Sequence, residues 1–516
     1  MHSASRSRKN SRLHFLAETR SYPLLLVTMR TKLDFLLWIC FFVLFVACED
    51  HPQEPDIVAV TSVTLNESAL SLKEGRNVTL SATITPDDAT NQNVTWKSSD
   101  PDIATVDTNG KIRALKPGTA TITVITEDGG KTAICTVTVE PGDPLKSSRT
   151  VLVYVAADNT LSGFALLDFE EMKVGMAKVE DVDVNFLVYI DKGGSPQLLE
   201  LKNENGTVVE KVVKTYSSRN SVGVSETQEV FAAVFSNTQY QADSYGLVYW
   251  SHGDGWLPYP LGANTRWVGQ DIGNGDKRMN ISEFVEILET APHFDFILFD
   301  ACFMQSVEVA YELRDYTDYC IGSPTEIPGP GASYDELVPA MFFSEDAAVD
   351  IAKAYYEPYA AKYDEGNGIS NTNWTGGASV CALRTEPLVD LAVLTKQILP
   401  GTVDNASLRK SVFDYDKRRG SDGYQDGHVG YYNLVGMMRM ITDDNAYEAW
   451  KQIFNSAVAY WVTTPMNFSG FFQSMFSMEG TNGVSCYIPS TSNTATDKAY
   501  RSTEWYTSAG FEKLGW

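Results

Sequence analysis

Two patterns of apolar and polar positions divide the chain, and they meet near residue 145. From 58 to 140 the two classes alternate in short runs: SVTLN, NVTLSATIT, NVTWKSS, ATVDTNGKIRAL, GTATITVIT and KTAICTVTVE. A period of two marks half-buried strands. Turn residues separate the runs, among them Thr108-Asn109-Gly110 and Lys116-Pro117-Gly118. The expectation for 58–140 is an all-β sandwich of ordinary size.

A polar linker, PGDPLKSS at 141–148, ends that pattern. RTVLVYVAAD (149–158) and VDVNFLVYID (182–191) are near-continuous apolar runs, as in strands buried on both faces of a parallel sheet. Helical spacing over Leu161–Val174 lies between them, and LLELKNENGTVVEKVVKTY (198–216) reads as antiparallel. Further helices are expected at Glu226–Phe235, Ile281–Thr290, Met304–Leu313, Tyr334–Phe343, Ala347–Tyr363 and from Glu386 onward. Strands are expected at 245–250, 294–299, 318–323 and 379–384. This alternation predicts an α/β fold, a mainly parallel sheet with helices on both faces, over a core of 149–395. The aromatic-rich remainder, 396–516, is taken as a C-terminal extension of that domain, with a helix near Ala446–Trp461 and strands around Ser474–Ile488.

The first 47 residues follow neither pattern. Met29-Arg30-Thr31-Lys32 precedes an apolar run at 35–46, and Ala47-Cys48 follows. A basic start, a short apolar run and a small residue before cysteine predict a secretory signal over 1–47, with 1–28 an upstream mis-start. The run is short for a membrane span. LFVAC resembles a bacterial lipobox, so Cys48 is the expected lipidation site, 48–57 a tether, and membrane attachment is through that lipid. Glu49 and Asp50 resemble an export signal to the outer surface. The expected location is the cell envelope, at the outer membrane or cell surface. An uncleaved anchor helix is the rival reading.

Composition narrows the partners. The formal charge is −25, with 43% apolar residues. That is a folded composition, and it lacks the basic excess that nucleic acid requires. Of seven cysteines, at 40, 48, 135, 302, 320, 381 and 486, two fall in the signal. The other five show neither a CxxC motif nor tight even spacing, so no disulfide framework or zinc site is indicated. An odd thiol in an exported protein points to a reactive cysteine.

Two strand ends carry candidate chemistry. In parallel α/β sheets ligands bind at the carboxyl ends of strands. One end reads YWSHGDGW, with His252 directly after the strand and Gly253 next; the other reads FDACFM, with Cys302 between strand and helix. A thiol acts as a nucleophile in its thiolate form, which a helix N-terminus favours. An imidazole can take the proton and return it to a leaving amine. The N–H groups of Gly253 and Cys302 can hold an oxyanion. Asp300, two residues before the thiol, is expected on the same side of the strand. A carboxylate there would hinder thiolate formation, so it suits a pocket wall for a cationic side chain. Fifty residues separate His252 from Cys302, the spacing of caspases.

Two families are resembled. VTWKSSDPDIATVDTNGKIRALKPGTATITV resembles bacterial Ig-like domains of group 2, modules that serve as spacers or adhesive units. SHGDGW followed by FDFILFDACFM resembles the clostripain-type (C11) cysteine peptidases of the caspase–gingipain–legumain clan. VYVAADNTL (153–161) and GSPTEIPGPGASYDEL (322–337) extend that resemblance over most of 149–395. It implies a caspase-like α/β/α sandwich with His252 as base and Cys302 as nucleophile. It also implies Asp300 in a pocket for Arg, or Lys, of protein and peptide substrates, with Glu326 as a second acid there. Some relatives self-activate by a cut between His and Cys, where Arg266, Lys277 and Arg278 lie; Arg266 is the expected site. Calcium is possible by resemblance, but Asp271, Asn274 and Asp276 do not make an EF-hand, so no metal ligand is assigned. The rival from another class is a non-catalytic adhesin or glycan-binding lipoprotein on a peptidase scaffold. A thiol esterase is a third reading, for which Asp300 has little use.

Overall fold

The computed structural model describes residues 58–73, 77–140, 148–179, 184–256, 267–344, 347–417, 428, 430–490 and 494–516. The signal, Cys48 and Arg266 lie outside the described residues. No helix among the described residues is long and apolar enough to cross a membrane.

Alternation produces the first region. A four-stranded sheet runs in the order Ala69–Lys73, Thr132–Glu140, Gly118–Thr126, Val94–Ser98, and Asn77–Thr79, Lys111–Ala114 and Ala104–Val106 form a three-stranded one. Ser62–Leu65 pairs with Ala82–Thr85. Ile122, Cys135, Val137, Leu80 and Ile112 close the core of this small Ig-like sandwich. Lys111 reaches Glu357, and Arg113 lies 3.4 Å from Glu336, both acids belonging to the second region. These side chains are a third or more exposed, so each pair contributes roughly 0–1 kcal/mol.

The second region is built on a nine-stranded sheet. Its strands are β1 Arg149–Ala156, β2 Val184–Asp191, β3 Gln197–Glu204, β4 Thr207–Thr215, β5 Ser244–Trp250, β6 Phe294–Asp300, β7 Thr317–Gly322, β8 Ser379–Arg384 and β9 Val458–Thr463. The order is β4-β3-β2-β1-β5-β6-β7-β8-β9. The five middle strands are parallel and both outer pairs antiparallel. The helices flanking it are α1 Ser162–Met176, α2 Val224–Phe235, α3 Ile281–Leu288, α4 Val307–Glu312, α5 Tyr334–Phe342, α6 Ala347–Lys362 and α7 Pro387–Ile398.

Each central strand sends alternate residues to opposite cores. Leu152, Tyr154, Tyr249, Ile297 and Phe299 pack with α2, α3, α4 and α7. Val151, Val153, Val248, Phe296 and Leu298 pack with α1, α5 and α6. The result is a caspase-like α/β/α sandwich. β1 lies between β2 and β5, which makes the carboxyl ends of β1 and β5 the point where the strand order reverses, the place where α/β sheets bind ligands.

Two elements differ from the sequence reading. The helix expected over Ala446–Trp461 spans Asp444–Ala457, and the next residues form β9 on β8. VAYWVT is β-branched and aromatic, and bonding to a waiting sheet edge outweighs continuation of the helix. The helix expected from Met304 starts at Val307, where the Ser306 side chain caps it. Phe303, at φ 61°, breaks the chain path before that.

Candidate active site

The register of two parallel strands brings His252 and Cys302 together. Trp250 pairs with Asp300 at the ends of β5 and β6, and His252 and Cys302 each follow by two residues. Gly253 allows the two ends to approach. A Cβ on it would come within 2.6 Å of the Ala301 Cβ and 3.0 Å of the Cys302 carbonyl. The Gly253 N–H donates to no protein acceptor among the described residues, whereas its neighbours are fixed: Asp254 N–H to Trp267 O, and Gly269 N–H to His252 O.

His252 is half-buried, and its Nε2 lies 2.8 Å from the Thr160 hydroxyl. Thr160 is held in place by Asn159, whose side chain donates to the carbonyls of Ala156 and Gln270 and accepts from Leu161 N–H. Burial pushes the imidazole below its ordinary pKa; Asp254 opposes this and Arg278 adds to it.

Cys302 is the one accessible thiol among the described residues. Cys135, Cys320, Cys381 and Cys486 are buried, and burial pushes each of them up, Cys320 to about 12. Cys302 lies in a turn ahead of α4, so it does not sit at a helix N-terminus as the sequence suggested. Its Sγ instead faces the Ile327 N–H at 3.4 Å, and Phe303 N–H bonds Thr325 O at 2.9 Å. The segment 325–327 therefore seats the nucleophile candidate.

Strand β6 ends at Asp300, so the alternation of sides stops there. Cys302 packs against the α2/α3/α4/α7 core, whereas Asp300 faces α5 and α6. The expectation that the two share a side fails because a turn, not a strand, joins them. Asp300 is 2% exposed and accepts from Ala332 N–H, Tyr334 OH and Tyr355 OH at 3.0, 3.1 and 3.0 Å. Burial pushes its carboxyl up, and these donors pull it back.

Asp168 on α1, which sequence reasoning missed, lies beside it. It is 3% exposed, accepts from Trp250 Nε1 at 2.8 Å, and is pushed up to about 9 by burial and then by Asp300. Gly331 stands between the two carboxylates at φ +72°; a Cβ there would be 3.0 Å from Asp300 Oδ2 and 3.4 Å from Asp168 Oδ2. Two adjoining acids, buried with no cation paired to them among the described residues and separated by an absent side chain, are an arrangement that could receive a cationic group.

Glu326 does not join them. Its carboxylate accepts from Ser469 Oγ at 2.6 Å and from the N–H groups of Gly470 and Phe471 at 2.7 and 3.4 Å. Asp271 accepts from Ser221 and Asn274, and Asp276 from Gln270 and Arg278. No group of three or more metal-ligating side chains converges among the described residues.

The Clostripain family matches residues 153–512, and the bacterial Ig-like domain (group 2) matches 59–137. The chain belongs to the clostripain family. Its second region is a clostripain-type cysteine endopeptidase, with an Ig-like domain ahead of it. A secreted C11 cysteine protease from Bacteroides thetaiotaomicron, solved with an irreversible peptide inhibitor, is 46% identical. That likeness covers 71% of this chain and 100% of that one, with a TM-score of 0.65. An inactive zymogen C11 protease from Parabacteroides distasonis is 30% identical over 70% of this chain and 97% of that one, with a TM-score of 0.59. Clostripain of Hathewaya histolytica is 25% identical over 218 residues, which are 36% of this chain and 41% of that protein. The chain spans 12%, 8% and 33% of the length of three other curated relatives.

Proposed function

We propose that this clostripain-family endopeptidase cleaves polypeptides after Arg, and less readily Lys, with Cys302 as nucleophile and His252 as general acid and base. The observation that supports the reading is the register of β5 and β6, whose ends carry the half-buried His252 and the accessible thiol Cys302 two residues past a paired position. Cys302 Sγ attacks the scissile carbonyl carbon while His252 takes the thiol proton. With Nε2 bonded to Thr160, Nδ1 is left for that transfer. The oxyanion rests on the Gly253 and Cys302 N–H groups. His252 then protonates the leaving amine, and the thioester forms as the C–N bond breaks. Water, deprotonated by His252, releases the acyl group and restores the thiol. Asp300 and Asp168 hold the cationic side chain before the cut.

The test is turnover of fluorogenic peptides ending in Arg, Lys, Asp or Asn. Arg and then Lys peptides are turned over and the acidic and amide ones are not; turnover indifferent to that residue sinks the pocket assignment. A pH profile tests the base. Burial lowers the His252 pKa, so kcat at saturating Arg peptide, with the acid pocket filled, falls as pH falls through a midpoint below about 6.5. An acid limb of kcat centred above 6.5 contradicts the assignment.

Export is the proposed location, supported by the signal features ahead of Cys48 and by the description of the Bacteroides relative as secreted. A lipid at Cys48 would tether the enzyme, with the Ig-like domain as spacer. Self-cleavage at Arg266 is the proposed activation step. Of the other cations between His252 and Cys302, Arg278 is paired with Asp276 and stacked on Trp267 at 3.6 Å, which makes it a poor cleavage site. The Parabacteroides relative is described as an inactive zymogen. Two bands from the wild type and one from Cys302→Ala on a denaturing gel are the expected result.

A further inference from the structure

The C-terminal extension places one buried tyrosine between the two halves of the dyad. Tyr431 has no exposed surface. Its ring stacks on Phe303, with centroids 5.0 Å apart and 15° between the planes. Its hydroxyl donates to the carbonyl of Asp254. Phe303 directly follows Cys302, and Asp254 lies two residues past His252. One side chain therefore touches the nucleophile turn with its face and the histidine loop with its tip.

Both contacts fall on segments that need support from outside. Phe303 adopts φ 61°, a left-handed conformation that a bulky side chain keeps only where its surroundings impose it. Its N–H bond to Thr325 O holds the backbone, and Tyr431 holds the ring. The His252 loop turns at Gly255, with φ +80°, and a Cβ there would stand 2.2 Å from the Tyr431 hydroxyl. The second glycine of SHGDGW thus makes room for Tyr431, as the first makes room for the Cys302 turn. Tyr431 is itself anchored. Its N–H donates to Asp414 Oδ1 at 3.1 Å, and its carbonyl accepts from Tyr415 N–H at 2.7 Å. Tyr432 pairs with Cys486, and the adjacent Ser485 N–H donates at 3.0 Å to the carbonyl of Gln305, three residues past Cys302.

We propose that Tyr431 is a positioning residue for the peptidase reaction, which fixes the turn carrying Cys302 against the loop carrying His252. The proposal rests on the endopeptidase reading above. Tyr431 is buried and offers no surface to a substrate, so it acts on the chemical step and not on binding. The hydroxyl bond sets where the His252–Asp254 segment stands, and with it the Gly253 N–H assigned to the oxyanion. The ring stack sets the turn that presents Cys302. Attack and proton transfer both need near-contact geometry, and a small misplacement costs rate steeply. The extension 396–516 then has a task in the reaction without supplying a group that touches the substrate.

The experiment is steady-state turnover of a fluorogenic Arg peptide by the full chain, with kcat counted per site titrated by an irreversible Arg-directed peptide inhibitor. Misfolded protein then drops out of the comparison. Tyr431→Phe keeps the stack and loses the hydroxyl, so kcat is expected to fall roughly tenfold while KM stays within about twofold. Tyr431→Leu loses both contacts, and kcat should fall roughly a hundredfold with KM again little changed. A tyrosine that only fills the core would lower Tm and leave kcat per titrated site at the wild-type value; that result overturns the proposal. A loss carried by KM with kcat unchanged also overturns it. Equal kcat in the two variants overturns the part given to the ring stack. No turnover of the Arg peptide by the wild type overturns the endopeptidase reading beneath it.

Discussion

Cys302→Ala is expected to bring peptide turnover to background, a loss on the order of 10⁴–10⁶-fold. The other described thiols are buried, and burial pushes each of them away from the thiolate form, so none can substitute. His252→Ala removes the proton carrier and leaves the thiol, so the loss should be smaller, roughly 10²–10⁴-fold. Whole-protein mass after incubation with an irreversible Arg-directed peptide inhibitor separates the roles. The wild type gains one inhibitor mass, Cys302→Ala gains none, and His252→Ala gains it slowly. Labelling of Cys302→Ala at another site, or turnover above background in it, contradicts the assignment of the nucleophile. Both positions are half-buried at strand ends, so the variants should melt close to the wild type.

The site's catalytic half was legible because it is local. A strand buried on both faces reads as an apolar run, and FDFILFD and YGLVYW mark β6 and β5 without reference to any other residue. Chemistry that follows such a run directly, as His252 and Cys302 do, can be placed at a sheet edge from sequence. The substrate-binding half was hidden because its contacts are distant in the chain. Asp168 sits in ALLDFEEM with Glu170 and Glu171, where it looks like the solvated face of a helix. Only the packing of α1 against β5 turns it inward, to Trp250 Nε1. Tyr334 and Tyr355 read as core positions of α5 and α6, and their hydroxyls at Asp300 follow from the fold. Glu326 misled for the same reason, since its partners lie about 140 residues further along. VAYWVT was folded into a preceding helix because an edge-strand pairing leaves no periodic trace over six residues.

Asp300→Asn is expected to lower kcat/KM for Arg peptides by roughly 10²–10³-fold, since truncating one side of a buried charge pair costs about 2–5 kcal/mol. Asparagine keeps the shape, and its one acceptor oxygen can still serve Ala332 N–H and Tyr334, while the Tyr355 hydroxyl turns to accept from the amide. Asp168→Asn should cost less, roughly tenfold, because that carboxyl is largely protonated in the empty pocket at neutral pH, with its pKa pushed up to about 9. A bound guanidinium favours the ionised form, so binding to the wild type releases a proton. KM for Arg peptides should therefore fall as pH rises from 6 toward 9, and Asp168→Asn should flatten that slope. Stability moves the other way. An acid whose folded pKa is raised destabilises the fold increasingly as pH rises above its ordinary value near 3.9, up to the raised value. Asp168→Asn removes that cost, so its Tm at pH 8 should equal or exceed the wild type's while its turnover of Arg peptides falls. A variant that loses turnover and Tm together would mark Asp168 as a structural acid, and an unchanged KM–pH slope would remove it from the pocket.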